Sequence, residues 1–212
     1  MVDTSITSTR RRENTRQRLL DAAAQIFAEV GLDAASVEAV CEAAGYTRGA
    51  FYSNFESKEQ LFLDLCARTA AQQIAAVRAE VAELETGGLD GPPGDALTVV
   101  QQVLEASGAD RVAVLLMGEI RIRALRDPSV AAAYRAQEAE MRAEVAQIIV
   151  DLARAKRITL RLSPSQAGEL FITAWAAAAE DAVMDGGDRT QIKRRISEAL
   201  AVVAELVIDH QR

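Results

Sequence analysis

A chain of 212 residues is long enough to bury one large core or two modest ones. Its composition is rich in alanine, leucine and valine, with four prolines and nine aromatic residues, which excludes a sheet protein and points to helices. The formal charge of −7 excludes a protein that coats nucleic acid indiscriminately, yet residues 1–20 carry Arg10, Arg11, Arg12, Arg16 and Arg18 against Asp3 and Glu13, a local balance of +3.

In chain order, residues 1–9 are polar and rich in serine and threonine, and residues 1–12 are expected to form a flexible basic arm. From Arg12 to Val30, the apolar positions Leu19, Leu20, Ala23, Ile26 and Phe27 recur at helical spacing until Gly31 stops the pattern. Ser36 opens SVEAVCEAAG with a serine N-cap, the carboxylates Glu38 and Glu42, apolar Val37, Val40 and Cys41, and Gly45 as terminator. Thr47 caps a second short helix running to about Asn54, and Ser57 caps a third with Glu59 and Gln60 in its first turn. That helix is long: Leu61, Phe62, Leu65, Ile74, Val77, Val81 and Leu84 keep one apolar stripe alive until Gly87-Gly88.

The run GGLDGPPG reads as an inter-helix loop. Further helices are expected at about 95–106, 109–125, 128–156, 163–185 and 189–210, broken at Gly108, Asp127-Pro128, Ser163-Pro164 and Gly186-Gly187. Asp127 and Ser163 each precede a proline at a first helical position, and Ser163 with Gln166 reads as a capping box. The alternation Ile158-Thr159-Leu160-Arg161-Leu162 fits a short strand or, without a visible partner strand, a structured loop. No repeat of fixed period appears. The expected fold is all-α with about nine helices. Residues 13–70 form a three-helix N-terminal unit, and a long fourth helix joins it to a C-terminal helical bundle over 71–212.

Two cysteines, Cys41 and Cys66, are too few for a disulfide framework and form no metal-ligand pair. Each lies in a helical pattern and reads as a buried small hydrophobe, with a redox-sensing thiol as the alternative. The single histidine, His210, is far from any capped loop, and no nucleophile elbow, phosphate loop or metal set is present. No catalytic residue, metal or cofactor is therefore expected. MVDTSITSTRRR lacks the apolar run of a signal peptide, and no apolar stretch reaches the ~20 residues that span a bilayer. A cytoplasmic protein without a membrane partner is the expectation.

Residues 36–54 combine two helices of under three turns with a glycine-containing turn, the pattern of a helix-turn-helix whose second helix enters the DNA major groove. The ordered series LLDAAAQIFAEVG, SVEAVCEAAGYTRGAFYSNF and ESKEQLF, from Arg16 to about Leu65, resembles the TetR family of bacterial transcriptional regulators. Two positions depart from the family's habit: Val40-Cys41 stands where Ile-Ala is frequent, and Asn54 where histidine is common. Read physically, Val37, Val40, Cys41, Ala44, Phe51 and Phe55 lock the two helices together, while Thr47, Arg48, Gly49 and Ala50 reach base edges. Arg48 is the only long basic donor among them, and Gly49 and Ala50 permit close approach. Tyr52, Asn54 and Lys58, with Ser36 and its neighbour Val37, complete the candidate DNA contacts on the backbone side, each competing with a solvated face or a cap. Arg10, Arg11 and Arg12 are either a solvated tail or a minor-groove arm.

LLMGEIRIRALRDPSVAAAY, from Leu115 to Tyr134, and SPSQAGELF resemble TetR-family C-terminal domains. The resemblance implies a homodimer through the last two helices and an inducer pocket within the bundle. Candidate pocket residues are Met117, Arg121, Tyr134, Phe171, Trp175 and Met184, with ordinary core packing as the competing reading of each. Ala174, Ala177 and Ala178 allow close helix approach, and Ile192, Ile196, Leu200, Val203 and Val207 form a stripe that a dimer partner or the monomer core explains equally. The expected function is a sequence-specific regulator, a ligand-released repressor that binds a palindromic double-stranded DNA operator as a dimer. The alternative is a helical ligand-binding or interaction protein without DNA binding.

Overall fold

The computed structural model describes residues 4–86 and 110–209. Eight helices occupy them: α1 (Thr4–Ala34), α2 (Val37–Ala44), α3 (Arg48–Tyr52), α4 (Lys58–Thr86), α5 (Arg111–Arg126), α6 (Pro128–Lys156), α7 (Pro164–Met184) and α8 (Arg189–Val207). The expected helix at 95–106, the GGLDGPPG loop and His210 lie outside the described residues.

Local chemistry explains most helix ends. Ser163 accepts from the Gln166 N–H while the Gln166 side chain accepts from the Ser163 N–H, so the capping box is formed. Asp188 and Gln191 build a second one that the serine-based reading passed over. Asp127 closes α5 and caps α6, accepting from the Ser129 N–H at 2.9 Å, with Pro128 at the first helical position. The Ser129 hydroxyl, donating at 2.7 Å, holds the Asp127 carboxyl below its ordinary range.

Two stretches differ from expectation. α1 begins at Thr4, so Arg10, Arg11 and Arg12 stand on a helix instead of a flexible arm. Arginine is a good helix former, Thr15 donates back to the Arg11 carbonyl, and Arg12 reaches the Ser53 carbonyl at 3.0 Å. Ile158–Leu162 does find a partner, though not a strand. Leu160 forms an isolated antiparallel bridge with Ile208, the Arg161 N–H donates to the Val207 carbonyl at 2.8 Å, and the Asp209 N–H donates to Thr159 at 2.9 Å. α8 accordingly ends at Val207, short of residue 210.

One buried cluster joins α1 to α5: Leu19, Phe27, Val40, Phe51, Phe55, Leu61, Phe62 and Leu65 pack with Leu116 and Ile120. Phe27 meets Phe62 edge to face, with ring centroids 5.5 Å apart. α7 packs along α8 and α6, and Ile192, Ile196 and Leu200 are buried with Ala179 and Ala182. The α8 stripe is thus spent inside the protomer. The large apolar residues that α7 and α8 leave exposed are Leu170, Met184, Val202 and Leu206. Among the described residues, no helix is long and apolar enough to cross a membrane.

Both cysteines are buried and free. Burial pushes the Cys66 thiol up to about 12, and it raises Cys41 as well, with Glu38 adding to the effect. The thiolate is the reactive form, so an alkylating reagent near pH 8 should modify Cys66 only after unfolding. Mass spectrometry checks this; modification as fast in native protein as in urea would contradict the burial.

Candidate nucleic-acid interface and internal cavity

The helix-turn-helix is built by two caps and a glycine. Ser36, in extended conformation, accepts from the Ala39 N–H at 3.0 Å and starts α2. Gly45 ends it at φ 73°, ψ 33°, the left-handed region, and the Tyr46 N–H then reaches back to the Cys41 carbonyl at 2.9 Å. Thr47 accepts from the Ala50 N–H and starts α3. A Cβ on Gly45 would meet nothing within 4 Å. Gly45→Ala should therefore cost only the backbone term of about 1–2 kcal/mol, readable in a thermal melt. A neutral result would mean that the turn relaxes.

Phe51 and Phe55, both essentially without exposure, hold α3 in the buried cluster that it shares with α1, α2 and α4. Val37, Ala44 and Tyr46, the last unassigned by pattern alone, pack half-buried against the same cluster. Thr47, Arg48, Gly49 and Tyr52 are left exposed on the outer side, with Ala50 half-buried beside them. The Arg48 guanidinium lies 2.8 Å from the Glu38 carboxylate and 5.9 Å from the Tyr52 ring centroid. The place of Glu38 beside Arg48 follows from the packing of α2 on α3, which helical spacing alone does not give.

Two candidate contacts turn inward. Lys58 Nζ donates to the carbonyls of Ala35 (2.8 Å) and Asp33 (3.3 Å), closing the end of α1. Asn54 Nδ2 donates to the Ala50 carbonyl at 2.8 Å, while its Oδ1 is buried without a partner among the described residues. Arg10 and Arg11 are exposed on α1, and Arg12 is tied to the C-terminal end of α3 through Ser53. Arg16, which pattern reading left unassigned, pairs with Asp64 at 2.8 Å and stacks 4.6 Å above the Phe55 ring.

A cavity of about 240 Å³ opens between α4, α5, α6 and α7. Met117, Arg121, Tyr134, Phe171 and Trp175 line it. Met184 does not: it is the last residue of α7 and 75 % exposed, one position beyond buried Val183. Pattern reading missed the polar lining of Gln73, Gln137, Glu138 and Glu180. For Gln73, the one available signal was an amide interrupting an apolar stripe. Arg121 donates to Glu180 at 2.6 Å, and its charge is reinforced first by the Tyr134 hydroxyl. Burial raises the Tyr134 phenol, so it stays neutral near pH 7. Among the described residues, no group of three or more His, Cys, Asp or Glu side chains is placed to hold a metal ion.

Fold and site define a helix-turn-helix protein whose helical body encloses a cavity. Residues 19–65 match the family described as bacterial regulatory proteins, tetR family. The HTH-type transcriptional regulator AcrR of Shigella flexneri is 33 % identical over 92 residues, 43 % of this chain and 39 % of AcrR. The HTH-type transcriptional repressor AcnR of Corynebacterium glutamicum is 42 % identical over 81 residues, 37 % of this chain and 43 % of AcnR. These matches span about two fifths of each relative's length. UidR of Escherichia coli, also an HTH-type transcriptional regulator, is 27 % identical over 74 % of this chain and 76 % of its own. Among solved structures, a Mesorhizobium loti protein assigned to the TetR family superposes with a TM-score of 0.71 at 18 % identity, covering 94 % of this chain and 99 % of the other. SmeT, the repressor of a Stenotrophomonas maltophilia multidrug efflux pump, superposes at 0.63 and 21 % identity, covering 92 % and 91 %. The helix-turn-helix region thus matches the TetR family of bacterial regulatory proteins, and the fold of the described residues is similar to that of the solved structures.

Proposed function

We propose that the protein is a sequence-specific transcriptional regulator, a repressor that binds a palindromic operator as a homodimer and leaves it when a small molecule fills the cavity. The observation that carries this reading is the tip of α3, where buried Phe51 and Phe55 hold Arg48, Gly49 and Tyr52 outward. Arg48 is the base reader, Tyr52, Arg10 and Arg11 supply backbone contacts, and Thr47, whose oxygen caps α3, positions Arg48. Ser36 and Lys58 serve mainly to position, since the oxygen of one and the ammonium of the other are engaged within the fold.

Two helices support coupling between cavity and recognition helix. α4 starts beside the helix-turn-helix and lines the cavity with Gln73, Ile74 and Val77. α5 sends Met117 and Arg121 to the cavity, and Arg123, two residues on, pairs with Asp33 at the end of α1. A ligand that favours one arrangement of these helices changes the separation of the two recognition helices in a dimer. Exposed Leu170, Val202 and Leu206 on α7 and α8 support dimerisation through those helices.

Selection of binding sites from random duplex DNA tests the reading. A palindrome with half-sites about one helical turn apart is expected, with affinity falling steeply as salt rises. No enriched sequence and no salt-dependent affinity would leave a helical ligand-binding or interaction protein instead.

A further inference from the structure

We infer that Glu38 is the residue that makes Arg48 selective, a carboxylate that lets the guanidinium meet guanine and disfavours its binding to phosphate; this rests on reading α3 as the recognition helix. The helix-turn-helix is poor in cations. Residues 36–54 contain Glu38, Glu42 and Arg48 and no other charged side chain, two carboxylates against one guanidinium. Sequence-independent attraction to the duplex must come from elsewhere, and Arg10 and Arg11 on α1 supply it. Glu38 stands in the first turn of α2 and meets Arg48 Nη1 at 2.8 Å, the one ion pair of Arg48 among the described residues. Tyr52 is the neutral neighbour: its hydroxyl favours the charged guanidinium, and its ring centroid lies 5.9 Å away. The side chains of Arg48 and Glu38 are 61 % and 58 % exposed, so their pair adds little to folding. Its consequence falls on binding. A lone exposed arginine gains from any phosphate. Arg48 gains less, because leaving Glu38 for a phosphate sets an unpaired carboxylate beside a polyanion. Guanine differs. A guanidinium carries five N–H donors, so Nη1 can stay on Glu38 while the edge formed by Nε and Nη2 meets guanine O6 and N7. Holding the side chain beforehand also lowers the ordering cost of that contact.

Glu38→Gln tests this, since the amide keeps the size and removes the charge. The full-length protein is titrated at several salt concentrations with the palindrome that the wild type selects, with variants replacing the guanine that Arg48 reads, and with random duplex. Glu38→Gln is expected to raise random-duplex affinity about threefold, to steepen its salt dependence by about one phosphate contact, and to lower the guanine preference about tenfold. The melting temperature should not move. In an Arg48→Ala background the same change should leave the ratio of palindrome to random-duplex affinity unaltered, because no guanidinium remains to direct. The inference is overturned if Glu38→Gln keeps the full guanine preference or fails to raise random-duplex affinity. It is equally overturned if the ratio shifts as much without Arg48, or if the loss of preference comes with a lower melting temperature. Any of these beside an intact wild-type palindrome removes the Glu38 assignment alone. A wild-type protein that enriches no sequence removes the regulator reading and this inference with it.

Discussion

Replacing Phe51 by alanine is expected to cost about 3–5 kcal/mol of stability and to abolish specific DNA binding. α3 has five residues, far too few to persist as a helix on its own propensity. Its caps supply one or two hydrogen bonds. What keeps it in place is a ring with no exposure, 5.7 Å from Phe55 and 5.2 Å from Tyr52 by centroid. Truncation leaves a void that Val40 and Cys41, on a short capped helix, cannot collapse to fill. The same cluster takes in Leu116 and Ile120 of α5, so the loss should appear in the global unfolding transition, not only in the N-terminal helices. Total stabilities of about 5–15 kcal/mol make this a large fraction. Denaturant unfolding with parallel DNA titration measures it. A loss under about 1 kcal/mol with DNA binding intact would mean that contacts other than Phe51 orient α3.

Arg48→Ala should lower operator affinity about 10- to 100-fold while leaving stability and dimerisation unchanged. The pair it forms with Glu38 is exposed on both sides, so little folding free energy rides on it. The loss should be confined to one base pair in each half-site, because a guanidinium reads guanine through two parallel donors. Arg48→Lys keeps the charge without the fork and is expected to recover only part of the affinity. Lys58→Ala is the contrasting variant. Its ammonium is spent on the Asp33 and Ala35 carbonyls, so its loss should loosen the junction of α1 and α4 and weaken all sequences alike. Fluorescence anisotropy at fixed salt, against the selected palindrome and single-position variants, separates the two. An Arg48→Ala protein with unaltered base preference would take Arg48 out of the readout.

The sequence by itself determined the capped helix starts and the nature of the N-terminal unit. Ser36, Thr47, Asp127-Pro128 and Ser163 act on backbone groups two or three residues away, so their hydrogen bonds are legible without knowing the fold. Gly45 belongs with them, because a positive φ is a local requirement. The buried aromatics were legible as well, since Phe51 and Phe55 lie four residues apart on one face. Only the tertiary structure decided where polar side chains end. Lys58 meets a carbonyl 23 positions earlier, and Arg121 meets a carboxylate 59 positions later. Helical periodicity says which residues share a face, not what that face meets. The α8 stripe shows this: its period was plain, but packing against Ala179 and Ala182 spent it inside the protomer and left Val202 and Leu206 exposed. Met184 and Trp175 divide for the same reason. Both are bulky apolar residues on α7, and only the neighbouring helices place one on the surface and the other on the cavity wall.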